Sequence, residues 1–399
     1  MDSISAWRRL AIAVLLATIG GVGMWSVPVA LPALQAEFGV ARADASLPFT
    51  LNMIGFALGG IVMGRLADRF GITVPVVLGA VMLGLGYVAA GASASLWQFA
   101  LAQGVLIGLG CASTFGPLMA DISHWFVRRR GIAVSICAAG NYIAGTIWPV
   151  VLQHFISTHG WRATHIGVGI VCAVTIVPLA FTLRRRPPPH DEAAAGASAH
   201  LHAQGMLNLS PNALQVLLCI AGVACCVAMS MPQVHIVAYC GDLGYGVARG
   251  AEMLSLMLMF GIVSRVASGF IADRIGGLRT LLLGAALQGL ALLFYLMFDG
   301  LASLYVISAL FGLFQGGIVP SYAIIVREYF PPQEAGIRVG LALMATLFGM
   351  ALGGWMSGAI FDLTGSYQAA FANGLAWNLL NVTITVWLLW WPRRRLATV

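Results

Sequence analysis

Twelve apolar stretches follow one another along this chain, at 10–34, 44–64, 72–93, 96–124, 131–154, 162–183, 212–239, 249–271, 279–298, 301–326, 336–361 and 368–391. Each supplies about the 20 apolar residues that a helix needs to cross a hydrocarbon core roughly 30 Å thick. One soluble interior could not hide all twelve, so lipid is the solvent in which they are expected to fold. The first run is too long for a signal-peptide core and lacks a convincing cleavage site, so it is expected to remain as the first span. Composition agrees: 60% of residues are hydrophobic, only 9% are charged, and the mean hydropathy is +0.90.

All 21 basic side chains are arginine. With the N-terminus on the cytoplasmic side, 17 of them fall in inner loops and only Arg42, Arg162 and Arg249 in outer loops, while Arg265 lies within a span. That bias orients the chain with both termini cytoplasmic, as expected for a multi-pass protein of a bacterial inner membrane. It also accounts for the net charge of +7, and the scattered arginines form no stripe that suits a nucleic acid. Without lysine there is no phosphate-cradling G-x-x-x-x-G-K-[ST] loop, so work done by this chain is expected to draw on gradients rather than ATP. The seven cysteines sit in or beside apolar segments without paired spacing, and His190, His200 and His202 lack a second cluster, so neither a metal nor another cofactor is expected.

The chain repeats itself. Gly64 to Gly71 reads GRLADRFG and Gly269 to Gly276 reads GFIADRIG, an offset of 205; Trp125-Phe126 is matched by Tyr329-Phe330, and Gly160-Trp161 by Gly365-Ser366. The one long hydrophilic stretch, 184–210, is rich in Pro, Ala and His and divides the copies. The expected organisation is a six-helix half at 1–183, a cytoplasmic linker at 184–210 and a second six-helix half at 211–399. Parallel repeats of this kind place a substrate site between the halves near the midplane.

The doubled G-x-[LI]-A-D-R-x-G loop resembles the signature of the major facilitator superfamily, and the resemblance covers essentially the whole chain. It implies an all-α membrane protein of twelve transmembrane helices in two pseudo-symmetric halves, working as a monomer. It also implies a cytoplasmic gate in which Asp68, Arg69, Asp273, Arg274 and Arg130 pair in one state and part in another. A narrower likeness joins the chain to the branch of monocarboxylate transporters and oxalate-formate exchangers. It rests on Trp125-Phe126-Val127-Arg128-Arg129-Arg130-Gly131-Ile132-Ala133, Gly160-Trp161-Arg162, Pro232-Gln233-Val234-His235 and Arg265. Two departures accompany it. Where animal members carry a lysine and an acid thought to couple protons, this chain has Trp25 and Gly261, and between Arg338 and Arg393 it lacks the second cation of the oxalate-formate exchanger.

Arg265 is the leading candidate for chemistry. A guanidinium inside a span costs about 2.5 to 3.5 kcal/mol on insertion scales and is usually retained where it faces a cavity or a partner. Its closest acids in sequence are Asp273 and Glu252, both toward the ends of the span, so a substrate carboxylate suits its planar fork; snorkelling to the inner surface is the plainer alternative. His235, just after Pro232, is a candidate proton relay or a hydrogen-bonded core histidine. Asn141 and Tyr142 offer polar groups for a small solute or for interhelical bonds. Trp25, Tyr322 and Phe348 are candidate cavity-lining aromatics by analogy of their helices. The resulting expectation is a secondary active transporter of a small monocarboxylate, coupled to protons or a counter-anion, and not an enzyme. An exporter of drugs or other hydrophobic solutes is the alternative within transport, and a non-transporting membrane sensor the alternative outside it.

Overall fold

The computed structural model describes residues 3–126, 129–185 and 209–396, which are helical almost throughout. Most of the 184–210 linker, with its three histidines, and the side chain of Arg130 lie outside the described residues. The helices flanking one long central run are α1 (Ile4–Phe38), α2 (Arg42–Phe70), α3 (Thr73–Gly91), α4 (Leu96–Trp125), α7 (Pro211–Asp242), α8 (Val247–Ile275), α9 (Gly277–Met297), α10 (Leu301–Tyr329), α11 (Pro332–Thr364) and α12 (Tyr367–Leu396), of which α1 to α4 and α7 to α11 are each long and apolar enough to cross a membrane. Between α4 and α7 the run Arg130–Phe181 is 52 residues long. As one helix it would measure about 78 Å, more than twice the hydrocarbon thickness. It is broken at Gly160, with φ 79 and ψ 159, into α5 (130–159) and α6 (161–181).

Several helices outrun the apolar stretches that announced them. Arg9 belongs to α1 and Arg42 is the first residue of α2, where loops were expected. A helix satisfies its own backbone and has no reason to stop at the edge of the hydrocarbon; it stops where a residue turns the chain. Glycine does so here. Gly71 closes α2 at φ 80 and Gly276 closes α8 at φ 83, the N–H of each donating to the carbonyl of Ala67 or Ala272. This is the left-handed region that costs a Cβ-bearing residue strain, which explains the last glycine of both signature loops. Gly39 and Gly244, and Gly160 and Gly365, are two further positive-φ pairs at the same offset of 205, so the repeat recurs in the backbone.

By packing, the chain separates into two compact units. One comprises Met1–His190 with Gln233–Met259 and Gly354–Gly365. Its interior contains Leu31, Leu34, Phe49, Tyr87 and Phe99, all essentially buried. Here α2 and α4 cross so closely that a Cβ on Gly55 would stand 1.9 Å from the Gly104 carbonyl oxygen. Residues 102–108 of α4 are π-helical, a one-residue excess that shifts the face α4 presents along its length.

The other unit comprises Asp191–Pro232, Phe260–Gly353 and Ser366–Val399. It packs Tyr295 flat on Phe371, with ring centroids 4.8 Å apart, and encloses a polar chain in which Asn378 donates to Gln288 and Gln288 to the Cys225 carbonyl. In both units large apolar side chains also face outward, among them Leu85, Val174, Phe270 and Trp390. Exposed apolar surface of that kind suits helices whose surroundings are lipid.

Candidate functional site

In the second unit α10 is interrupted at Gly316–Gly317, between Leu301–Gln315 and Ile318–Tyr329. The interruption lies against α8: a Cβ on Gly316 would meet the Gly261 carbonyl at 2.4 Å, and one on Gly317 would meet the Ser268 Cβ at 2.2 Å. Small residues on both helices permit this approach. Arg265 stands at the same crossing, half-buried, with Nε 3.5 Å from the Gly316 carbonyl oxygen. Ten residues separate it from Ile275 at the end of α8, a rise of about 15 Å, so its backbone sits well inside the span. Tyr322 is fully buried and its hydroxyl donates to Asn381 Oδ1 at 3.3 Å, while Phe348 on α11 is 57% exposed.

The other candidates belong to the first unit. Trp25 Nε1 donates to the Asn141 carbonyl at 3.3 Å, and Gly145 faces the same indole so closely that a Cβ there would be 2.9 Å from Cε2. Asn141 Oδ1 is buried without a hydrogen-bond partner among the described residues, and Tyr142 is 7% exposed beside it in sequence. His235 is completely buried, and its Nε2 lies 2.8 Å from the Gly354 carbonyl oxygen. A carbonyl only accepts, so that nitrogen carries the proton.

The four described signature charges, Asp68, Arg69, Asp273 and Arg274, are exposed and take part in no ion pair among the described residues. Asp68 instead borders a cavity of about 1020 Å³, shared with Arg9, Asp121, His124, Arg184 and Arg185.

Three charged constellations lie outside the candidates read from the sequence. Arg9, 5% exposed, binds both oxygens of Asp121 at 2.6 and 2.8 Å, donates to the Leu183 and Arg185 carbonyls, and lies 4.5 Å from the centre of the Trp125 ring. It ties α1 and α4 to the chain leaving α6. The Gly160-Trp161-Arg162 motif proves to be a brace at the opposite end. Trp161 Nε1 and Arg162 both bind Glu37, and Arg162 also reaches the Gly91 and Ser93 carbonyls, joining the ends of α1, α3 and α6. Arg42 gathers Gln35, Asp242 and Asp362 from three other helices. Nothing in the local sequence marked these partners, which lie between 7 and 320 residues apart. A buried arginine needs carboxylates, and the only signal available was that the acids are few, 14 in all.

Comparison with known proteins gives a consistent picture. The family model described as Major Facilitator Superfamily matches residues 13–303 and 253–398. Monocarboxylate transporter 13 of Rattus norvegicus is 27% identical over 353 residues, covering 86% of this chain and 78% of that one. The MFS-type transporter pynF of Aspergillus niger is 26% identical over 317 residues, covering 78% and 71%. Among solved structures, a mutant of the nucleoside transporter NupG superposes with a TM-score of 0.77 at 13% identity, covering 96% of this chain and 99% of that one. A bacterial homolog of the human lysosomal transporter Spinster gives 0.67 at 17%, covering 98% and 96%.

Proposed function

Because the chain belongs to the Major Facilitator Superfamily, and is thus a multi-pass membrane transporter of small molecules, we propose that its solute is a small monocarboxylate and that Arg265 is the group that holds it. The carrying observation is the place of that arginine. It stands inside the α8 span, at a small-residue crossing with the broken part of α10, with Nε directed at a backbone carbonyl. A guanidinium presents a planar fork that can donate two parallel charge-assisted hydrogen bonds to a carboxylate. The identity shared with a mammalian protein named as a monocarboxylate transporter supports the same reading.

In this reading residues 1–183 and 211–399 are the two halves that alternately expose the site, joined by a linker at 184–210. Transport is coupled to protons or to a counter-anion, with His235 as the candidate relay; Trp25, Asn141, Tyr142, Tyr322 and Phe348 are candidate substrate contacts. Asp68, Arg69, Arg130, Asp273 and Arg274 form the inner gate in the state that closes it. The membrane is the bacterial inner membrane, with both termini cytoplasmic.

The test is uptake by proteoliposomes of a panel holding lactate, pyruvate, formate, oxalate, nucleosides and lipophilic cations, with and without a pH gradient. Saturable uptake of at least one monocarboxylate is expected. Uptake confined to nucleosides or lipophilic cations would overturn the assignment.

A further inference from the structure

The cavity beside Asp68 lies wholly within the first unit, at the end that carries Arg9 and the first signature loop. Its lining is of two kinds. Val74, Leu78 and Val81 form one stripe of α3, each between 41 and 44% exposed, that runs about 10 Å along the helix. Arg184 and Arg185 also line it; both are exposed and take part in no ion pair among the described residues, and Arg184 lies 4.5 Å from the centre of the Phe181 ring. Arg9 and Asp121 neutralise each other. Among arginines and acids, Arg184 and Arg185 against Asp68 leave the cavity with one positive charge in excess.

The internal repeat shows what the corresponding place holds in the other copy. Glu328 stands immediately before Tyr329-Phe330 as His124 stands before Trp125-Phe126. In the second unit both oxygens of Glu328 accept the N–H of Gly277, the first residue of α9, at 2.9 and 3.1 Å. A carboxylate at a helix N-terminus satisfies donors that the helix cannot satisfy and meets the positive end of its dipole. The matching helix of the first unit is α3, which has no side-chain cap. Its first residues, Thr73 and Val74, line the cavity together with His124, which brings no carboxylate. One copy thus supplies its own anion, and the other has two arginines and open space instead.

We propose that this cavity binds a membrane phospholipid of single net negative charge, with its phosphate held by the first turn of α3 and the Arg184–Arg185 pair and an acyl chain along Val74, Leu78 and Val81. Backbone N–H groups at a helix start and a guanidinium fork both suit a phosphate. The apolar stripe separates a lipid from a free phosphate ester, which has no chain to bury there. Charge separates one lipid from another: a singly charged headgroup balances the excess, a zwitterionic one leaves it and a doubly charged one overshoots it. Arginines at a membrane surface attract anionic lipid in general, and the cavity gives that attraction a fixed place. The inference rests on the chain lying in a membrane and is indifferent to which solute it carries.

The test is native mass spectrometry of the full-length protein in detergent, titrated with phosphatidylglycerol, phosphatidylethanolamine, cardiolipin and, as a headgroup without chains, glycerol 3-phosphate. Wild type is compared with the pair Arg184→Gln and Arg185→Gln, with His124→Glu, and with a control pair, Arg279→Gln and Arg327→Gln, at two exposed arginines of the second unit. Phosphatidylglycerol should bind most tightly to wild type. Removing the arginine pair, or giving the first copy the carboxylate of the second through His124→Glu, should each weaken it roughly tenfold through lost charge-assisted hydrogen bonds. The control pair should bind as wild type does. Tighter binding of phosphatidylethanolamine or cardiolipin would overturn the assignment, as would wild-type affinity without Arg184 and Arg185 or an equal loss in the control. Displacement of the lipid by an equal concentration of glycerol 3-phosphate would show a site for a soluble phosphate ester and overturn the lipid as occupant. If His124→Glu does not yield a monodisperse protein, the pair at Arg184 and Arg185, whose side chains are exposed, decides alone.

Discussion

Arg265 Nε faces the Gly316 carbonyl oxygen at 3.5 Å, across the crossing where α10 is interrupted, so a cation deep in one helix is aimed by the backbone of another. If this guanidinium receives a carboxylate, its geometry matters as well as its charge. Arg265→Lys keeps the charge and loses the fork. The loss of one charge-assisted hydrogen bond, about 1.5 to 3 kcal/mol, should weaken binding roughly ten- to a hundredfold. Arg265→Gln should abolish it while the protein still inserts. Uptake and stabilisation by solute at matched protein amounts check this; near-normal values in Arg265→Gln would remove the anchor.

Charge selectivity follows from the same residue. One fixed cation neutralises one carboxylate, and the chain offers no arginine between Arg338 and Arg393 to meet a second. A dianion would bring uncompensated charge into a low-dielectric site at a cost of several kcal/mol. Lactate, pyruvate or formate should therefore compete for uptake at concentrations at which oxalate does not. Tight oxalate binding without any response to the monocarboxylates would contradict the assignment.

The Arg9–Asp121 pair should behave as a buried ion pair. With side chains 5% and 10% exposed, removing one partner strands the other, at a cost of about 3 to 5 kcal/mol. Asp121→Leu should lower the thermal midpoint in detergent by several degrees. The double variant Arg9→Met with Asp121→Leu should be less damaged than Asp121→Leu alone, because no charge is left behind. Additive damage in the double variant would show that the two groups act independently.

Packing at the α2–α4 crossing gives a prediction without electrostatics. Gly55→Ala would drive a methyl group to within 1.9 Å of a backbone oxygen, which has no rotamer by which to retreat. The helices must separate, and lower yield and a reduced midpoint are expected. Gly60→Ala on the same helix, where a Cβ meets nothing within 4 Å, should be close to neutral. Equal effects of the two substitutions would show that helix propensity, not the crossing, is being measured.

Some of this was decided by residues acting locally. The apolar helices, their repeat and the final glycines of the signature loops are legible because each depends on one stretch of chain meeting lipid or on one backbone angle. The membership of Arg265 in a span was legible for the same reason. Its companion Gly316 was not, since it lies 51 residues away and matters only because Gly316, Gly317, Gly261 and Ser268 let α8 and α10 touch. Trp161 and Arg162 stood out as a motif, yet only the fold revealed that both serve Glu37 and that they are a brace. Arg42 shows the division most sharply. As a loop cation it counted toward orientation, a sum over charges that needs no coordinates. Its burial against Asp242 and Asp362 depends on residues that lie 200 and 320 positions later in the chain coming to the same place. Hydropathy and backbone strain are properties of a segment. Pairing a desolvated charge is a property of an address in space, which only the packed helices assign.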